Sequence, residues 1–186
     1  MTIKIKLLYL HHEMEKRTWQ SPLFSYYIMD KLTQLKEIIA KEITDYFQNT
    51  NLFLVDVKVL SNGKIEIYAD GNTANITIDE CVQISRHIYH FLEEKNLMND
   101  NISLDVSSPG MDEAFKVPQQ YQKQLNKAVD VVLKNGMKIS GELVAANENE
   151  IKIKEVIKIK KTTNIEEHII SFDEIKSVKK QFNFKL

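Results

Sequence analysis

Two serines ahead of a Pro-Gly pair, Ser107-Ser108-Pro109-Gly110, are the residues most like a nucleophile presented on a sharp turn. A nucleophile elbow needs a glycine on each side of the serine at G-x-S-x-G spacing, and neither glycine is in place here. The proline fixes φ and the glycine permits positive φ, so the four residues read as a strand stop and a turn. Cys81, His87 and His90 fall close together and invite a metal assignment. Their spacing matches no zinc motif, because Ile88 and Phe91 interleave with the histidines. His11-His12 and His168 lie apart from any serine or cysteine they could activate. Asp70, Asp79, Glu80, Asp105 and Asp112 could serve as paired carboxylates for acid-base work. Helix caps and turns account for such positions without a shared cleft. The five glycines, at 63, 71, 110, 136 and 141, form neither a phosphate loop nor a dinucleotide fingerprint. No catalytic residue, metal or cofactor is expected.

The elements around these residues follow from periodicity. Leu32, Leu35, Ile38, Ile39, Ile43, Tyr46 and Phe47 recur at helical spacing, so a helix opens at Met29 and ends near Gln48-Asn49. Leu52 to Leu60 and Lys64 to Asp70 read as strands joined by Ser61-Asn62-Gly63, an Asn-Gly hairpin signal. Thr77 followed by Glu80 is a capping-box pattern. The helix it opens carries Ile78, Cys81, Val82, Ile84, Ser85, Ile88, Phe91 and Leu92 on its periodic stripe and runs to about Lys95. A strand from Ile102 to Ser107 completes an α-β-β-α-β order, with both helices on one face of a small mixed sheet.

Beyond the Pro-Gly turn, residues 111–127 read as a linker with one helical turn after Pro118. Five alternating strands then follow: Ala128–Leu133, Met137–Ala145, Ile151–Lys158, His168–Phe172 and Val178–Phe184. Lys134-Asn135-Gly136, Asn147-Glu148-Asn149 and Thr162-Thr163-Asn164 separate the earlier ones. Gly141 inside the second strand and a single turn at Asp173-Glu174-Ile175 fit a closed five-stranded SH3-like or Sm-like barrel. Lys152, Lys154 and Lys158 alternate outward, with Ile151, Ile153 and Val156 inward, and Lys160 and Lys161 extend the strip. Lys134, Lys138, Lys176, Lys179 and Lys180 join it if the barrel closes, making a surface able to contact several phosphates, as a nucleic acid presents them. Lysine without arginine positions a backbone but reads base edges poorly. Phe182 and Phe184 alternate as core residues do, and could otherwise stack bases.

The expected class is therefore α+β with two domains: residues 29–110, a linker over 111–127, and a barrel over 128–186. The chain has 186 residues, 43% hydrophobic and 27% charged, enough for two small cores and too apolar for wholesale disorder. Its one cysteine forms no intramolecular disulfide, and no run approaches the roughly 18 apolar residues of a membrane span. A cytoplasmic protein is expected. Residues 29–118 hold 8 Lys+Arg against 15 Asp+Glu, whereas 119–186 hold 13 against 9. Such a split fits two partners of opposite charge. Residues 1–28 show no sustained period and no export signal, and read as a non-native or disordered extension ahead of a start at Met29.

The words Val106-Ser-Ser-Pro-Gly-x-Asp112, about twenty residues after Asp79-Glu80-Cys81 and Ser85-Arg86, resemble the RimP family of bacterial small-subunit maturation factors. The resemblance covers Met29 to the end. It implies a two-domain, non-catalytic monomer that binds the immature small ribosomal subunit, touching ribosomal RNA and a basic ribosomal protein, with no membrane contact. Carried over by position, the motif residues are Asp79, Cys81, Ser85, Arg86, Ser107, Ser108, Pro109, Gly110 and Asp112, and their implied task is to set the domain junction. Family members continue the motif with Arg-Pro-Leu, where this chain has Glu113-Ala114-Phe115. That departure argues against phosphate binding at the junction. The alternative class is a general Sm-like RNA-binding regulator, which would assemble into rings.

Overall fold

The computed structural model describes residues 22–98, 102–159 and 162–181. It divides between Ser108 and Pro109 into two units. In the first, helix α1 (Pro22–Phe47) starts seven residues ahead of the expected Met29. A proline suits a first helical position, where its missing N–H costs nothing. Tyr26 and Met29 remain exposed, so these early turns carry no core contact through those side chains. Strands β1 (Leu52–Val59) and β2 (Lys64–Gly71) form the expected antiparallel hairpin. Gly63 takes φ 87° in its turn, and the Asn62 side chain accepts from the Lys64 N–H.

Helix α2 (Ile78–Glu94) leads to β3 (Ser103–Ser107), which pairs parallel to β2. The sheet order is β1-β2-β3. Ile39 and Ile43 of α1, Ile65 and Ile67 of β2, and Ile84, Ile88 and Leu92 of α2 are fully buried in one core. Each such side chain contributes about 1.5–3 kcal/mol of burial free energy. His87 Nε2 meets Glu42 at 2.8 Å and its ring stacks on Tyr46 at 4.2 Å, tying α2 to α1.

The capping box at the start of α2 is complete: Thr77 Oγ1 accepts from the Glu80 N–H at 3.3 Å, and Glu80 accepts from the Thr77 N–H at 2.7 Å. Thr77→Ala should lower the unfolding free energy by about 1 kcal/mol, read from denaturant midpoints. The Thr77 backbone N–H, and then its hydroxyl, hold the Glu80 carboxyl below its ordinary value of 4.5. A carboxylate with a depressed folded-state pKa stabilises above its unfolded value and loses that contribution as pH falls through the folded one. The wild type should therefore lose melting temperature faster than Glu80→Gln on acidification below 4.5. Equal slopes would show that the box carries no net stability.

The second unit is a single antiparallel sheet of β4 (Ala128–Leu133), β5 (Lys138–Ala146), β6 (Glu150–Ile159), β7 (Thr162–Ser171) and β8 (Ile175–Lys180). Its order is β7-β6-β5-β4-β8. The expected closed barrel is corrected here: among the described residues no ladder joins β7 to β8. The turn at Phe172–Glu174 carries the chain across to β4. The Phe115 N–H takes the Val178 carbonyl at 2.8 Å, using β8's outer edge. Val129, Val131, Ile139, Leu143, Ile151, Ile153, Ile170 and Val178, from all five strands, still share one core. The stretch 111–127 enters it as well. Helix α3 (Pro118–Lys123) places Tyr121 edge-on between Phe115 and Phe172, with ring centroids 5.1 and 5.3 Å away.

Three strand readings change, the last strand beginning at Ile175, within the expected turn, and not at Val178. Thr162-Thr163-Asn164, taken as a separator, belongs to β7 and pairs with Ile157–Ile159. Val156 is not inward: it shares the outer face with Lys152 and Lys154 and is 52% exposed, as a period of two requires. Glu155 takes the inner parity and meets His168 at 2.9 Å.

Candidate functional site

Two surfaces hold the residues singled out in the sequence. In the first unit, Cys81 and Ser85 of α2 and Ser107 and Ser108 at the end of β3 line one cleft of about 430 Å³, with Ile76, Thr77, Ile78, Val82 and Val106. The parallel register that seats β3 beside β2 brings the ends of α2 and β3 together, although 26 positions separate Cys81 from Ser107. Of the remaining motif residues, Asp79 and Arg86 are exposed on α2 and do not line the cleft. Pro109, Gly110 and Asp112 fall in the second unit, where the Glu113 N–H closes a turn on the Gly110 carbonyl at 3.1 Å.

The cleft's chemistry is that of neutral hydroxyls and alkyl groups. Burial, then the neighbouring Glu80 charge, pushes the Cys81 thiol above its ordinary value, so it stays protonated at neutral pH. Among the described residues no histidine lines the cleft to activate a serine. The carboxylates considered for acid-base work are dispersed: Asp70 accepts from the N–H groups of Gly71 and Ile76, Glu80 caps α2, and Asp105 lies 3.5 Å from Lys64. Among the described residues, no three His, Cys, Asp or Glu side chains converge as metal ligands.

What periodicity missed is the direction of half the α2 stripe. Ile84, Ile88 and Leu92 face the core, but Ile78 is 83% exposed and Val82 41%. A stripe wider than one packing partner can cover was the signal in the sequence.

The second surface is the lysine set, which does not form one strip. Lys134, Lys138 and Lys176 are exposed at one end of β4, β5 and β8, where Val132 pairs with both Lys138 and Ser177. Exposed Lys179 pairs with Asp130. Lys180 is half-buried opposite Val129. Across the sheet, Lys154 stands in register between Glu142 and Glu167. Lys152 lies 2.6 Å from Glu167, and this hydrogen bond and charge hold that carboxyl low. The outer face of β6 and β7 is therefore charge-balanced. Lys158 pairs through its backbone with Thr163, while Lys160, Lys161, Phe182 and Phe184 lie outside the described residues.

Comparison with known proteins gives one consistent answer. The family model of the RimP N-terminal domain matches residues 42–112, spanning α2, β3 and the motif turn. A protein named ribosome maturation factor RimP from Christiangramia forsetii is 32% identical over 120 residues, covering 64% of this chain and 75% of its own length. One of the same name from Porphyromonas gingivalis is 31% identical over 125 residues, 67% of this chain and 80% of its own. That from Cytophaga hutchinsonii is 31% identical over 161 residues, 79% of this chain and 96% of its own.

Proposed function

The chain belongs to the RimP family, and on that premise we propose that it is a non-catalytic factor that binds the immature small ribosomal subunit and aids its late assembly in the cytoplasm. The observation that carries this reading is the match to maturation factors over both units, reaching 96% of one relative's length. The protonated thiol and dispersed carboxylates described above fit a binding role. The exposed lysines at the end of β4, β5 and β8 supply the phosphate-positioning charge, and the acidic first unit meets a basic ribosomal protein.

The strand order, a meander whose last strand returns beside the first, supports an SH3-like or Sm-like reading of the second unit. The ring-forming regulator is the weaker alternative. A ring built edge to edge needs two open sheet edges, and Phe115 occupies β8 at Val178. A monomer in light scattering is the expected result. Cells depleted of the protein should accumulate small subunits with unprocessed ribosomal RNA, restored by the wild-type gene. An unchanged subunit profile on depletion would end the proposal.

A further inference from the structure

We propose that the cleft between α2 and β3 is a strand-addition groove, in which an extended basic segment of a small-subunit protein pairs with the free edge of β3. The inference deepens the function proposed above and rests on it for the class of partner. Its own basis is geometric. Strand β3 is the last in the order β1-β2-β3, and among the described residues no strand pairs with its other side. An edge strand presents unpaired backbone N–H and C=O groups, which an extended peptide can satisfy while its alternate side chains enter whatever flanks the edge. The flank here is the first two turns of α2.

Those turns are built to receive apolar side chains. Ile78 and Val82 sit four residues apart on one side of α2, both exposed, and both line the groove with Val106. Ile78, 83% exposed at the first position of α2, is not a lone surface residue but forms a contiguous apolar patch with Val82. Ser85 on the same helix and Ser107 and Ser108 at the end of β3 add neutral hydroxyls to the lining, and no hydrogen bond within the described residues engages those hydroxyls. They can take either donors or acceptors from an incoming backbone.

Charge selects the occupant. Residues 29–108 hold 13 Asp+Glu and 7 Lys+Arg. Asp79 and Glu80 stand in the first turn of α2, and Asp105 is exposed on β3. On α2 only Arg86 and the C-capping Lys95 oppose them among lysines and arginines. A basic segment gains from this field, and a phosphate backbone is repelled by it.

The test uses the full chain and its only cysteine, Cys81, which lines the groove. The probe is the RNA-free protein fraction of small ribosomal subunits, followed by its individual proteins. N-ethylmaleimide alkylation of Cys81 is read by intact mass, and hydrogen exchange is read over Leu104–Ser107. Strand addition predicts alkylation slowed by about tenfold in the complex, because a covered thiol meets reagent only on release. It also predicts slower exchange in β3. Ile78→Lys and Val82→Lys alter exposed positions, so they should keep the fold by circular dichroism and lose both protections.

A ribosomal protein that binds while Cys81 and β3 stay unprotected would overturn the groove and leave the assembly role standing. Protection given by ribosomal RNA alone would overturn the protein occupant. Failure of every small-subunit protein to bind, with binding to precursor subunits intact, would likewise reject this inference and not the assembly role. Loss of precursor binding as well would reject both.

Discussion

Gly141→Ala is expected to unfold the second unit at temperatures where the first remains folded. A Cβ built on Gly141 would lie 2.5 Å from the Lys154 backbone carbonyl oxygen and 2.8 Å from Ile153 Cγ2. Neither can retreat cheaply. The Lys154 carbonyl belongs to the β5–β6 ladder, and Ile153 is fully buried in the core all five strands share. Overpacking of this kind costs about 3 kcal/mol, at the upper end of the usual range, when backbone must shift. A unit spanning Pro109–Leu186 has little reserve to absorb it. Differential scanning calorimetry should show the wild-type protein with two units folded and the variant with only one transition. Gly136→Ala is the contrast: open space surrounds its Cβ position, so its cost is limited to a strained φ of 91°. A Gly141→Ala protein as stable as the wild type would mean that β5 and β6 approach less closely than described.

The second large effect concerns affinity. Replacing Lys134, Lys138 and Lys176 together by glutamine should weaken binding to precursor subunits by roughly 10- to 100-fold near physiological salt. It should also flatten the dependence of log affinity on log salt by about two to three units. These three are exposed at the same end of the sheet. Replacing Lys152 and Lys154 should do much less, because Lys152 is ion-paired with Glu167 and Lys154 stands in register between Glu142 and Glu167. Affinities from fluorescence anisotropy at several salt concentrations separate the two sets of lysines. Equal losses from both sets would restore the continuous basic strip that alternation alone implied.

How far the sequence reveals the molecule depends on whether a feature is local. The capping box and the Asn-Gly hairpin are set within a few residues and appear where the pattern puts them, and the strands of the second unit follow as a meander although β7 and β8 begin earlier than expected. The outward direction of Val156 is equally local, since the period of two gives it the parity of Lys152 and Lys154. The start of α1 at Pro22 escaped because its early side chains show no apolar period to follow.

The cleft was harder. Ile78 and Val82 share a periodic stripe with Ile84 and Ile88, and periodicity states which residues face alike, not what covers them. Only the placement of β3 beside β2 decides that the core takes the later turns of α2 and leaves the first two open. Barrel closure failed for a similar reason: alternation counts strands, but whether the two outermost meet depends on Phe115 reaching Val178 from far along the chain.

The most direct test of the central claim is co-sedimentation of the protein with precursor and with mature small subunits at two salt concentrations. Retention on precursors, release at high salt and little binding to mature subunits are expected. Equal binding to both, or binding to neither, would contradict it.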